Sequence, residues 1–381
     1  MANTLETLQV LSRDAGIYLS DDLVMGNLIN RDHQQKFTTS SGGDVDVAVV
    51  ANDTATEVDL DASAASAVTA ADISETKVRV PAKNFISVVK EVNTEEALYE
   101  VNSISEQVVR PAMVGLAEAI DNRLMNNICG GFAQNVAGTA GTSPAVAADI
   151  TAARKTLRDN RCDMSDLVGV IGSTAEQNFF GIGEFINRDY GEANDTALRE
   201  ATLGRKYGID WYVSNQAGGS LDTGDTAGTV LVDGASQTGT SLVTDGYTAS
   251  TGKVKAGTRI TIDGVAGTYV VTDDAVITGN AATLTLDTAL ASSPADDAAI
   301  TIATQVTQDF IYNPRAAAGA IIAPAPLSVN SAVELVNGLS VRVSMDSEIN
   351  PTSGTPKSVM RFDVFVGAKV LKPEYGVIMQ S

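Results

Sequence analysis

Histidine is almost missing from this sequence. His33 stands alone among 381 residues, so metal sites built on several imidazoles and most Ser/His/Asp relays are excluded unless His33 itself serves. It lies in the polar stretch from Asn30 to Phe37, with no nucleophile motif near it, and reads as a surface residue. Cysteine is scarce as well. Cys129 and Cys162 form neither a disulfide framework nor a metal-ligand spacing, and read as plain thiols of a reducing compartment. Positive charge is short: Lys+Arg number 26 against Asp+Glu 47, a formal net charge of -21. No Lys/Arg cluster of the kind that neutralises phosphates occurs, which argues against tight generic binding to duplex DNA. No apolar run approaches the ~20 residues that cross a bilayer, and the opening MANTLETLQVLSRDAGIYL lacks a basic stretch followed by an apolar core. A soluble chain not exported by the Sec route is expected. Phosphate-loop signatures are absent too, and Gly181-Ile182-Gly183 is a glycine-fingerprint fragment without its third Gly or a preceding strand, hence a turn.

Aromatic residues make up only 5% of the chain, whereas Ala, Thr, Val, Gly and Asp dominate a 44% hydrophobic composition. Burial must therefore come from many small and β-branched side chains spread over extended elements, which suits a thin, broad subunit better than a compact enzyme. The length allows two or three cores.

Along the chain, Leu5, Leu8 and Leu11, then Leu19, Leu23 and Leu28, recur at near-helical spacing. Gly16 and the cap-like Ser20-Asp21 divide them, predicting two short helices with one apolar stripe. Asp44 to Val50 alternates with period two and is predicted as a strand. Residues 51 to 76 are too poor in large apolar groups to bury a core and lead into a second strand at Lys77 to Pro81, so a long protruding loop or hairpin is expected, one that could pair with a neighbouring subunit. From Asn93, which can cap with Glu96 three residues on, the pattern turns helical. Pro111 either kinks one long helix or starts a second. Beyond it Leu116, Ile120, Leu124 and Ile128 fall on one face of a helix that runs to about Cys129 and ends at Gly130-Gly131.

Residues 147 to 220 read as mixed α/β: a helix from Ile150 to Asn160, an apolar strand Leu167 to Ile171, a capping box Ser173 to Glu176 opening a charged helix that ends near Gly204, and a strand Ile209 to Val213. Composition shifts at Gly218. From there to about Thr304 there is no Glu, and ten Asp stand against Lys253, Lys255 and Arg259. Short Thr/Val/Ile strands broken by Gly, Asn and Asp turns predict an all-β inserted domain, with Asp263-Gly264 as a hairpin turn. The α/β pattern resumes at Phe310, and strands at Arg361 to Val366 and Lys369 to Leu371 finish the chain. The carboxylate pairs Asp59/Asp61, Asp273/Asp274 and Asp296/Asp297 lack calcium-loop spacing and read as solvated turns, and Met113, Leu116, Ile120 and Leu124 as core packing.

In this order the elements resemble the Hong Kong 97-type fold of tailed-bacteriophage major capsid (coat) proteins, and more narrowly the podovirus-like branch with an inserted β domain. The stretches that carry the resemblance are Asp22-Leu23-Val24 through Leu28-Ile29-Asn30-Arg31-Asp32 with Phe37 and Gly43-Asp44-Val45, Gly115-Leu116-Ala117 with Ala119-Ile120-Asp121, and Lys206 through Ser214-Asn215. They continue with Ala256-Gly257-Thr258 through Val265, and with Arg361-Phe362-Asp363 followed by Gly367 through Tyr375. The resemblance implies an α+β capsid fold divided as follows: an N-terminal arm (1–42), an extended loop and peripheral-domain strands (43–92), a spine helix (93–130), an axial α/β domain in two parts (145–217 and 307–345) around the inserted β domain (218–306), and C-terminal peripheral strands (346–381).

It also implies a non-enzymatic subunit without cofactor that self-assembles into pentamers and hexamers of an icosahedral shell around double-stranded DNA. Its partners would be further copies of itself, scaffolding, portal and decoration proteins, and packaged DNA without sequence-specific binding; no membrane is involved. It would be found in the virion, after assembly in the host bacterial cytoplasm. An acidic wall would repel packaged DNA weakly and leave it free to leave, although solubility alone also accounts for the charge. Gly42-Gly43, Gly130-Gly131 and Gly218-Gly219 are hinge candidates or ordinary turns. Lys77, Arg79, Lys83 and Lys90, the most concentrated basic residues, are candidates for contacts with carboxylates of a neighbouring subunit. The rival readings are an encapsulin-like cellular shell protein, a secreted β-rich adhesin, which the long helix does not fit, and a carboxylate-dependent hydrolase.

Overall fold

A computed structural model describes residues 3–37, 44–50, 75–82, 84–93, 105–138, 142–186, 203–218, 222–303, 308–325, 331–349 and 356–379. The N-terminal segment forms one helix, α1 (Asn3–Asp22), and a short α2 (Met25–Leu28), in place of the two short helices expected. Gly16 does not break α1. It lies against Val336, where a Cβ would come within 2.8 Å of a valine methyl, so glycine here admits close packing. Docking of the Leu8, Leu11, Ala15 and Leu19 stripe into the core offsets the roughly 1 kcal/mol that an interior glycine costs.

Strands β1 (Asp44–Val50) and β2 (Glu75–Pro81) pair antiparallel, Val45 opposite Val80 and Val47 opposite Val78. The loop predicted between them falls largely outside the described residues. The chain continues as β3 (Asn84–Asn93), so Asn93 ends a strand opposite Lys357 instead of capping a helix, and Glu96 lies outside the described residues. Ladder bonds with a C-terminal strand, invisible to local pattern, decide this. A single π turn (Ser105–Val109) runs directly into α3 (Arg110–Gly131), with Pro111 as the second residue of the α-helix, at the point where the π turn gives way to it. Ala112, Met113, Leu116, Ala117, Ile120, Leu124 and Ile128 are buried along one face.

Then come α4 (Ala147–Asp159), β4 (Leu167–Ile171), α5 (Ser173–Phe179) and α6 (Gly183–Ile186). The predicted capping box does not form. Gly172 is the N-cap, so Ser173 is already helical and Glu176 sits one position too far along to reach back. The expected continuation of the charged helix, 187–202, lies outside the described residues. Strands β5 (Arg205–Lys206) and β6 (Ile209–Val213) complete this part.

The region from 222 to 303 is built of strands alone: β7 (Gly228–Val232), β8 (Ser241–Tyr247), β9 (Thr251–Val254) and β10 (Arg259–Ile262), then β11 (Val265–Val270), β12 (Ala275–Thr278), β13 (Ala282–Thr285) and β14 (Ile300–Ile302). They form small sheets in the orders β13-β8-β7, β12-β9 and β11-β10-β14 around a core of their own that includes Val232, Leu242, Ile277 and Leu284. Asp263-Gly264 turns β10 into β11, with Gly264 at φ +76° and Ile262 opposite Val265.

Five more strands return to the body: β15 (Phe310–Tyr312), β16 (Ala317–Ile322), β17 (Ser331–Val336), β18 (Leu339–Ile349) and β19 (Pro356–Val370). β19 is one long strand where two short ones were expected, because Gly367 carries it past the Pro81-Ala82 backbone in contact too tight for any side chain. A last strand, β20 (Gly376–Ile378), closes the sheet β20-β15-β4-β6-β5. That sheet is buried on both faces: Val168, Val170, Phe310 and Tyr312 join the core under α1 and α3, whereas Leu167, Ile171 and Ile311 join a second core with α4 and α5. Burial on both sides explains why Leu167 to Ile171 is apolar without alternation. The other large sheet, β16-β19-β18-β17 with β3 along the far side of β19, carries α1 and α3 on one face. The chain is thus an α+β protein.

Candidate functional site

The side chains that sequence alone offers for chemistry are absorbed locally. Asp273 pairs with Lys369 at 3.2 Å, Asp274 accepts the N–H of Ala256, and Asp296 accepts that of Gly234, so these carboxylates organise turns. Asp59 and Asp61 lie outside the described residues. His33 sits half-buried in a turn whose carbonyl accepts from Lys36 N. Gly181-Ile182-Gly183 is a turn that opens α6. Both cysteines are buried and neither forms a disulfide among the described residues, and burial, then Asp163 and Glu374, push the Cys162 thiol up to about 11.

What the fold presents instead is a set of surfaces. The first is the β1–β2 hairpin. Val45, Val47, Val80 and Ala82 at its root pack onto Ala318 and Ala320 of β16. The opposite face of β2 carries Lys77 and Arg79, and Arg79 Nε lies 3.2 Å from Asp46 Oδ1 across the hairpin. Lys90 is exposed on β3, in a different sheet, so it is not gathered with the other two, and Lys83 lies outside the described residues.

The second surface is the outer face of β3 and β19. Period-two alternation sends Met360, Phe362, Val364 and Val366 into the core and turns Val359, Arg361, Asp363 and Phe365 the other way. Asp363, 0% exposed, accepts from Arg342 Nη2 at 2.5 Å and from Arg361 Nε at 2.7 Å. Burial alone would raise its carboxyl, but hydrogen bonds from Arg342, Arg361 and Ser87 outweigh that and hold it below the ordinary value. Arg361 also stacks over Phe85, 5.3 Å from the ring centre, and Phe85 packs on Phe365 at 5.2 Å. Sequence reasoning missed this group. The alternation within Lys357 to Val366 could have flagged it, but a one-dimensional pattern does not say that β3 lies alongside.

Two joints hold the surfaces in place. Asp121, 3% exposed on α3, accepts the N–H groups of Val24 at 2.8 Å and Gly26 at 3.0 Å, pinning the corner between α1 and α2. Ser12 of α1 donates to Val341 O and accepts from Glu334 N. The β-rich region meets α3 at Gly130 and Gly257, sends Val270 into the body core, and borders a cavity of about 350 Å³ with Arg123, Asn126, Lys255 and Lys369. Gly130-Gly131, a hinge candidate by sequence, is instead packed tightly against Gly257 and Val370.

No protein-family model matches this chain, and no curated protein does. Among solved structures, a chain of Mycobacterium phage Che8 matches with a TM-score of 0.52 at 17% sequence identity, covering 93% of this chain and 90% of that chain. A chain in the capsid structure of the cyanophage P-SCSP1u gives 0.48 at 13% identity, over 93% and 87%. One in the mature capsid of bacteriophage PhiM1 gives 0.45 at 10%, over 90% and 83%. The likeness to the Che8 chain shows a shared fold that extends over nearly the whole of both chains.

Proposed function

We propose that this chain is the major capsid subunit of a tailed bacteriophage, which self-assembles into an icosahedral shell enclosing double-stranded DNA. The observation that carries the reading is the fold shared with a phage Che8 chain along 93% of the length. Identity of 17% over that span means that the architecture, and not a handful of residues, is what the two chains have in common.

The physical build supports it. Closed shells need modest, heterologous interfaces repeated many times on a subunit stiff enough to transmit them. Here α1 and α3 brace one face of a sheet, a hairpin stands on its other face, and buried polar joints at Asp121 and Ser12 lock the N-terminal segment to α3 and to β17 and β18. The net charge of -21 suits an inner wall that does not grip the DNA. The partners of this reading are other copies of the chain in pentamers and hexamers, with scaffolding, portal and decoration proteins. Its place is the virion, after assembly in the host bacterial cytoplasm, and it needs no cofactor and catalyses no reaction.

Negative-stain electron microscopy of the purified chain, alone and co-expressed with a candidate scaffolding protein, tests this. Closed shells of uniform size are expected in at least one condition. A persistent monomer in both would overturn the reading, and shells that take up a protein cargo in preference to DNA would move it to a cellular compartment.

A further inference from the structure

On the open face of the body sheet, Phe85 is 43% and Val89 55% exposed, two large apolar side chains on the same side of β3 with only Ser87 between them. Arg361 lies opposite Val89 in the ladder, and Asp363 lies opposite Ser87. The arginine is fixed in place: its Nε donates to Asp363 Oδ1 at 2.7 Å and to Ser87 Oγ at 3.2 Å, while its plane covers Phe85. Its two Nη groups have no hydrogen-bond partner among the described residues, and the side chain is 44% exposed. A guanidinium held this way has already lost its rotamer freedom and presents a planar pair of donors, the arrangement that receives a carboxylate with two hydrogen bonds.

The strand beneath also has one open edge among the described residues. β3 pairs with β19 on one side only, and no described strand lies along its other edge. Soluble proteins usually blunt such an edge with charge or proline. β3 has Lys90 and Glu91 at one end, but nothing charged from Asn84 to Val89. An aromatic and arginine anchor beside an unblunted edge is the composition of an interface centre and not of a solvated sheet.

We propose that the Phe85, Val89 and Arg361 patch with the free edge of β3 is a docking surface for a second copy of this chain, which lays a carboxylate-bearing extended segment against it. This rests on the shell reading and names one of its contacts. Charge decides the occupant. A chain with Asp+Glu 47 against Lys+Arg 26 offers carboxylates on almost any surface, so a preorganised cation on one copy is complementary to the others. The same net charge repels a nucleic-acid backbone, the other source of anions for an arginine.

The test compares full-length wild type with V89E, V89K and, as a control on a similarly exposed valine of the β-rich region, V276E. The measurements are the yield of sedimenting particles, their appearance by electron microscopy, and circular dichroism of the subunit. Val89 is 55% exposed, so all four should fold alike. V89E sets a carboxylate against the incoming acid and should lower particle yield by about tenfold or more, with V89K losing clearly less and V276E unchanged. Wild-type shells together with normal V89E shells overturn this contact alone, as does equal loss in V89E and V89K, or in V89E and V276E. A wild type that stays monomeric at every concentration overturns both this contact and the shell reading.

Discussion

Gly257 and Gly130 meet backbone to backbone where the β-rich region sits on the end of α3. A Cβ on Gly130 would lie 3.0 Å from the carbonyl oxygen of Ala256, and Gly257 adopts φ +90°, with Gly130 too near to admit any side chain. The β-rich region is therefore seated by contact and is not merely tethered by its two connections.

Gly257→Ala should strain both the backbone and this seat, and lower stability by about 3 kcal/mol. A urea titration followed by near-ultraviolet circular dichroism checks it. A midpoint equal to the wild type would mean that the seat does not contribute.

Asp121→Asn should loosen the corner between α1 and α2, costing about 2 kcal/mol, because a buried carboxylate that accepts backbone N–H groups is replaced by a side chain with one acceptor. Hydrogen exchange at Val24 to Gly26 should quicken, and unchanged exchange there would count against the assignment. The pH dependence has a definite sign. Burial raises the Asp121 carboxyl above 3.8, and the N–H groups of Val24, Gly26 and Met25 offset this only in part. The folded chain therefore binds this proton more tightly than the unfolded chain. Stability from this group is present below 3.8 and lost as pH rises through the raised value. Acidification toward 3.8 should accordingly favour wild type over D121N, which has no such titration.

Asp363→Asn should be more damaging, by about 4 kcal/mol, since it leaves Arg342 and Arg361 without their buried counter-charge. Here the sign reverses. The carboxyl is held below 3.8, so its contribution is present above that value and lost as pH falls through the depressed one. Acid unfolding of the wild type should therefore steepen below 3.8, and the variant should lack that component. Identical acid profiles would remove Asp363 from the account.

Arg79→Glu reverses a largely exposed pair with Asp46, whose contribution within the subunit is under about 1 kcal/mol. Circular dichroism of the subunit should not change, whereas assembly should be impaired if Arg79 also serves a neighbouring carboxylate. Normal shells from this variant would restrict Arg79 to the hairpin.

Much of the architecture is legible in the order of residues. Alternation from Asp44 to Val50, the stripe Leu116, Ile120, Leu124 and Ile128, the unbroken apolar run Leu167 to Ile171, and the Asp263-Gly264 turn each name an element that the structure contains. These are signals of period and turn chemistry, properties of a few consecutive residues, and the fold leaves them intact. The Thr/Val/Ile-rich strands between 228 and 302 likewise form, around a cluster that includes Val232, Leu242, Ile277 and Leu284.

The errors arise where local signals are overridden. Gly16, Asn93 and Ser173 carry local signals to break or cap. A partner distant in sequence overrides the first two, Val336 against Gly16 and Lys357 opposite Asn93, and a one-residue shift at a strand end overrides the third, with Gly172 ahead of Ser173. The candidate surface is subject to the same limit. Arg361, Asp363 and Phe85 are ordinary residues in one dimension, and only the pairing of β3 with β19 places a buried carboxylate behind the arginine and an aromatic ring beneath it. Period and composition thus determined which segments become helices and strands. The long-range ladder determined which of their side chains meet, because hydrogen bonds and packing between segments more than two hundred residues apart leave no trace in the local spacing of either.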